Sequence, residues 1–324
     1  MKKKLVLTLA TLGAASMLCG FDNTQTAESV LSQMQEVSNN VNAETMTMDM
    51  NMDLAVNVSD GETTTPVNVT GNGGFDISAS IEPFGMQMEG SFDMNVLGQA
   101  QTMTMKMYMV PTEDGGIASY VYTEDSATGE GKWAYQAEDS VQISSLKDPS
   151  AVTITPDQFA EWGIDFALAP EAADFNGTEC YLLSATVDKA ALEQMMTKAS
   201  ELTGEEIMTE DVTMVLSLLE GFKMNLEYYV DTATYFPVGM HIDFNGTDLT
   251  SVNAMLAGIF ASAQSEDGSS TSIELILNDL SVNASMTEAD SVTITVPDEA
   301  LAAVESGEAV TTDSLDDLMA EIEG

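Results

Sequence analysis

Apolar residues fall on every second position from Met46 through Met48, Met50, Met52, Leu54 and Val56 to Val58. The positions between them, Thr47, Asp49, Asn51, Asp53, Ala55 and Asn57, are nearly all polar. Side chains leave an extended chain on alternate faces, so a period of two predicts one long strand with an apolar face and a wet one. The alternation returns in Val67, Val69, Gly71, Gly73, Phe75, Ile77, Ala79 and Ile81, and again in Met86, Met88, Gly90, Phe92, Met94 and Val96. Met103, Met105, Met107 and Met109 repeat it a fourth time. Four such segments across about 44–110, with turns at Gly61, Pro83-Phe84-Gly85 and Gly98, predict a large antiparallel sheet with one methionine-rich face. The glycines at 71, 73 and 74 sit inside a strand pattern, where they predict a bulge or bend.

Helical spacing appears on both sides of this block. Val30, Leu31, Met34, Val37 and Val41 form one stripe after Thr26, a side chain suited to capping a helix start. Short strands are expected at Ile117–Thr123 and Lys132–Gln136, then a short helix opened by Pro156. A strand at Thr178–Val187 leads into a helix capped by Asp188 and reaching Leu202, and a second helix spans Thr209–Glu220. Alternation resumes at Phe222–Val230 and Val238–Phe244, and an amphipathic helix follows over Thr247–Gln264. Strands at Ile273–Leu280 and Ser291–Val296 precede a short helix at Asp298–Val304. The acidic remainder, 305–324, holds one weak helical pattern at Leu315–Ile322. Strands before and after a helical block, without a Pro/Ser-rich linker, predict a single α+β domain over residues 27–304.

The N-terminus changes the picture of where the chain works. Met1 is followed by Lys2, Lys3 and Lys4, and no charge occurs from Leu5 to Cys19. A basic start and a short apolar stretch make an export signal over residues 1–18, too short for the roughly 20 residues of a membrane span. Cys19 closes the apolar run and a polar tether follows to residue 26, which resembles a bacterial lipoprotein signal, in which the cysteine is acylated. Leu18 and Ser16 depart from the usual lipobox, and Ala14-Ala15-Ser16 would also serve an ordinary signal peptidase. Lipidation at Cys19 is the reading adopted, because it alone accounts for that cysteine. The expected address is the outer face of the cell membrane, or the medium if Cys19 carries no lipid.

Charge excludes several partners. Asp and Glu number 53 against nine lysines, with no arginine, for a net charge of −44. Loss of residues 1–18 removes three lysines and no acid, moving the net charge to −47. Nucleic acid needs a cationic footprint, and anionic lipid would repel this surface, so attachment to a membrane falls to acyl chains.

The chemistry inventory is sparse. His241 is the one histidine and is expected on a wet strand face. A His-cluster metal site is therefore excluded, and any Ser-His-Asp or Cys-His arrangement has to pass through His241. Cys180 is expected to be buried and inert, although a Cys19–Cys180 bridge becomes available if Cys19 is not acylated. Phosphate-binding glycine loops are missing, so the sequence predicts neither an enzyme nor a bound cofactor or metal. The 23 methionines are the unusual feature. Thioethers bind Cu(I), but the row runs on into Leu54, Val56 and Val58, which favours an apolar strand face. Unbranched Met side chains adapt to variable apolar partners; an ordinary Met-rich core is the plainer reading.

With the N-terminal helix, the Met-alternating strands, the segment Gly177–Met196 and the run Ser291-Val292-Thr293-Ile294-Thr295-Val296-Pro297-Asp298-Glu299-Ala300 in view, the chain resembles a family over about residues 25–304. It is similar to uncharacterised Gram-positive lipoproteins related to the carrier LolA and to mycobacterial LppX-type lipid carriers. The resemblance implies a strongly curved antiparallel sheet, an unclosed half-barrel, with helices packed on its concave side. It further implies an apolar ligand held between sheet and helices. The lining would then comprise Met48, Met50, Met52, Phe75, Met88, Phe92, Met103, Met105, Met107, Met224, Met255 and Phe260, with no catalytic residues. The competing expectation is a cell-surface interaction or sensor module with a filled core and no ligand.

Overall fold

The computed structural model describes residues 25–59, 63–124, 131–138, 156–203, 209–262 and 272–311. The chain opens with α1 (Ala27–Ser38), started by the Thr26 hydroxyl, which accepts a hydrogen bond from the Ser29 N–H at 3.1 Å. Four long strands follow: β1 (Ala43–Ser59), β2 (Thr64–Ser80), β3 (Gly85–Val96) and β4 (Gln99–Pro111). Then come β5 (Ile117–Glu124) and β6 (Gly131–Glu138), α2 (Pro156–Glu161), and the short β7 (Ala167–Leu168) and β8 (Ala173–Phe175). The second half holds β9 (Thr178–Asp188), α3 (Lys189–Thr203), α4 (Glu210–Leu218), β10 (Lys223–Asp231), β11 (Pro237–Asp243) and α5 (Thr250–Ser262). It ends with β12 (Ser272–Ala289), α6 (Asp298–Ser306) and β13 (Val310–Thr311).

All thirteen described strands belong to one sheet, ordered β13-β6-β5-β4-β3-β2-β1-β12-β11-β10-β9-β7, with β8 beside β9. Every neighbouring pair is antiparallel except β13 with β6. The two ends of this path do not meet, so the curved sheet stays an open half-barrel of the α+β class, as expected. Its centre is the pair β1–β12, where the N-terminal strand block is joined to the C-terminal one.

Helices sit mainly on the methionine face. Val37 and Val41 pack with Met46, Met240, Ala284 and Met286, while Val30, Leu31 and Met34 of α1 pack with Leu183 and Val230. Trp162 and Ile164 join Ala185, Val187 and Ala191 in an adjoining cluster. α6 lies on the opposite face. There Ala300 and Ala309 join Tyr108, Tyr120 and Trp133, with Ile294 and Val296 packed beside them.

Three expectations are corrected by this architecture. The predicted strand over 291–296 is irregular chain. Ala289 pairs with Ala43, the first residue of β1, so residues beyond it have no ladder to join and instead cover the Tyr108 cluster. The strand predicted to stop at Leu280 continues to Ala289, because a register shift at Asp53/Leu54 skips Asn278 and reverses which residues face inward. Finally, of the bulge or bend expected at the glycines of β2, the bulge is absent: β1 and β2 pair without interruption from Ala43–Ser80 to Ser59–Thr64. The weak helix expected at 315–322 and the anchor at Cys19 lie outside the described residues.

One edge is closed by a side chain. β11 covers β12 only from Ser281 to Ser285, leaving the earlier part of β12 without a strand on that side among the described residues. Asn253 of α5 fills the gap. Its Oδ1 accepts from the Leu275 N–H at 2.7 Å and its Nδ2 donates to the Leu275 carbonyl at 3.0 Å, reproducing both bonds of a neighbouring strand.

Candidate functional site

The strand register assembles the alternating residues into rows that cross the sheet on one face. Met286, Met46, Ile77, Met88 and Met107 form one row from β12 to β4. The next is Ala284, Met48, Phe75, Gly90 and Met105, and beyond it lie Val282, Met50, Gly73, Phe92 and Met103. Leu280, Met52, Gly71 and Met94 continue the face toward Leu54, Val56 and Val58. Phe92 and Phe75 face neighbouring strands where Gly71, Gly73 and Gly90 leave room. A β-carbon on Gly71 would stand 2.4 Å from the Phe92 ring, and one on Gly90 would stand 2.4 Å from the Phe75 ring.

Away from the Tyr108 cluster under α6, the opposite face of the same strands is wet. Thr47 donates to Asp76 at 2.9 Å and Asn278 donates to Asp53 at 3.1 Å, so cross-strand polar pairs occupy the alternate positions.

Burial falls off along the methionine face. Glu44 and Met46 are buried, whereas Met48, Met50, Met52, Leu54, Val56 and Val58 are all half-buried. Phe75, Met88, Phe92, Met105, Met107 and Met224 are half-buried as well. Met103 is 49% exposed and Met255, on α5, 36% exposed, so both stand at the margin of the face. The Phe260 side chain lies outside the described residues. At ~3.3 Å per residue the partly covered stretch from Met48 to Val58 runs roughly 33 Å, against ~15 Å for one leaflet of a bilayer core.

Tyr228 and Glu44 are polar groups set within the apolar surface. Tyr228 pairs with Leu183 and Met240 in the row of Met48, its ring centroid 6.1 Å from that of Phe166, and burial pushes its phenol up to about 12. Glu44 is the less expected one. It lies in phase with Met46 at the buried end, is 6% exposed, and its Oε2 has no hydrogen-bond partner. Burial pushes its carboxyl up to about 8. Sequence reading passed it over, although an acid in phase with an apolar row is the signal that marks it.

The candidate nucleophile and base are kept apart. Cys180 is fully buried beside Asp231, and burial, with a smaller push from that carboxylate, raises its thiol to about 11. His241 faces Glu227 and Asn283 and contacts the Asn283 Oδ1 at 2.8 Å. The register separates Cys180 from His241 by four residues along the strand and two strands across, roughly 16 Å. Among the described residues no group of three His, Cys, Asp or Glu side chains is placed to hold a metal ion. No described helix is long and apolar enough to cross a membrane.

An open antiparallel sheet with helices along one apolar, partly covered face defines the class to which this protein belongs. The sequence pattern of a family of unknown function, DUF6612, matches residues 26–305, and the chain belongs to that family. Among curated proteins nothing matches the sequence significantly. Solved structures with a similar outline include the Mycobacterium tuberculosis lipoprotein LppX, at 8% identity, 83% of this chain, 98% of that one and a TM-score of 0.32. A beta-barrel-like DUF1849 protein from Brucella abortus shows 10% identity, 79% and 99% coverage and a TM-score of 0.24. A putative outer membrane lipoprotein-sorting protein domain from Vibrio parahaemolyticus shows 10% identity, 76% and 87% coverage and a TM-score of 0.20.

Proposed function

We propose that this protein is exported, anchored through an acylated Cys19, and binds a lipid or other apolar ligand along its methionine face without chemical change. The observation that carries the reading is the half-buried run from Met48 to Val58, in register with Phe75, Phe92 and Met105. A packed core would bury these side chains completely, and a solvent-facing strand would not place thioethers and aliphatics in consecutive rows. Unbranched thioethers suit a surface that has to fit flexible hydrocarbon.

The test is extraction of the protein, purified from its own membrane, with organic solvent and mass spectrometry of the extract. One apolar molecule per chain is the expected result. Recovery of none, from protein that also fails to take up apolar dye, would favour a filled interaction module instead. Anchoring is tested separately by Cys19→Ser, which should move the protein from the membrane fraction to the medium.

A further inference from the structure

We propose that Glu44 and Glu288 receive the ammonium group of an amphiphile whose hydrocarbon lies along the methionine rows. This rests on the apolar-ligand reading above and names the chemical class of the ligand. The two residues are directly paired between β1 and β12, so both carboxyls stand on the methionine face, with β-carbons about 5 Å apart. They occupy the row next to Met46 and Met286, at the buried end of the face. Glu288 is exposed, whereas Glu44 is 6% exposed and its Oε2 makes no hydrogen bond.

A buried carboxylate whose Oε2 has no partner is costly, so Glu44 keeps its proton unless a cation reaches it. Among the described residues no cation pairs with either: Lys106 pairs with Glu299, and Lys189 with Glu193 and Glu220. Other members of the row cannot help. Ala79, Met86 and Met109 continue it across β2, β3 and β4 without charge. An alkylammonium group supplies what is missing. It carries three N–H donors and one positive charge, enough to bridge both carboxyls and to hold Glu44 as a carboxylate.

The rest of the chain favours that sign of charge. With no arginine and a net charge of −44, its field draws cations toward the face and repels fatty-acid or phosphate head groups. A neutral head group can accept a hydrogen bond from the protonated Glu44 but brings no charge to Glu288. Because burial holds the Glu44 carboxyl near 8, binding the ammonium group at neutral pH displaces that proton to solvent.

The experiment compares octylamine, octanol and octanoate as competitors of an apolar dye bound to the mature full-length protein. The expected order is octylamine tightest by about tenfold or more, then octanol, then octanoate. Glu44→Gln, which keeps the shape of the neutral acid, should bring the amine-to-alcohol ratio close to one. Glu288→Gln, at an exposed position, should reduce it in part and serves if Glu44→Gln does not fold. Equal binding of amine and alcohol, or an unchanged ratio in both variants, overturns the inference while leaving the apolar-ligand reading standing. Failure of all three probes to displace dye overturns both.

Discussion

The Phe92 ring lies against Gly71 on the neighbouring strand, where a β-carbon would stand 2.4 Å from its tip. The same phenylalanine crowds Gly73, whose added β-carbon would meet the Ser91 carbonyl at 2.3 Å and the Phe92 backbone at 2.7 Å. Glycine is therefore required for close approach of the strands beneath an aromatic ring.

Gly73→Ala should cost about 1–3 kcal/mol, because backbone has to move to admit the methyl group. Gly71→Ala should cost less, since the nearest obstacles are the ends of the Phe92 and Met52 side chains. Urea denaturation of the two variants measures the difference, and equal stabilities would show that the ring does not lie as described.

Stability should depend on pH through Glu44. Its carboxyl ionises near 4.5 in the unfolded chain but near 8 in the folded one. On this account stability is greatest below 4.5, falls as pH rises between the two values, and levels off above 8. The loss is on the order of a few kcal/mol. Glu44→Gln has no proton to lose, so the variant should gain on the parent protein as pH rises through that window. Paired denaturation curves across the range provide the check, and a constant difference would mean that Glu44 is solvated.

Met50→Asp and Met105→Asp each place a charge on the half-buried face. Each should lower apolar-dye uptake and reduce stability by about 1–3 kcal/mol. Dye titration and thermal unfolding read the two effects, and unchanged values for both would show that those rows face water.

Cys180 should resist thiol reagents in the native state. It is fully buried and its thiol is held near 11, so little thiolate exists near neutrality and access is blocked. Labelling should proceed only on unfolding, at a rate that follows added denaturant; prompt labelling of native protein would contradict the burial.

The alternating rows made most of β1 to β4 legible, because one face of each strand is apolar over most of its length and the period of two stays unbroken. β12 was legible only in part. Leu275 and Leu277 face inward on one side of the shift at Asn278, and Leu280, Val282 and Ala284 do so on the other, so the alternation changes phase within a continuous strand. The segment holding Ile294 and Val296 carries a strand-like pattern, yet its fate depends on where β1 begins, which is information from a distant part of the chain. Which strand residues share the methionine face could be read from phase alone. Met103 and Met255 differ because exposure at a margin depends on how far neighbouring elements reach, and no local pattern records that.

Asn253 carries a wider consequence than its two hydrogen bonds. By occupying the Leu275 N–H and carbonyl, it makes those two groups unavailable to an extended segment from another molecule. A single carboxamide thus does at Leu275 what a further strand would do.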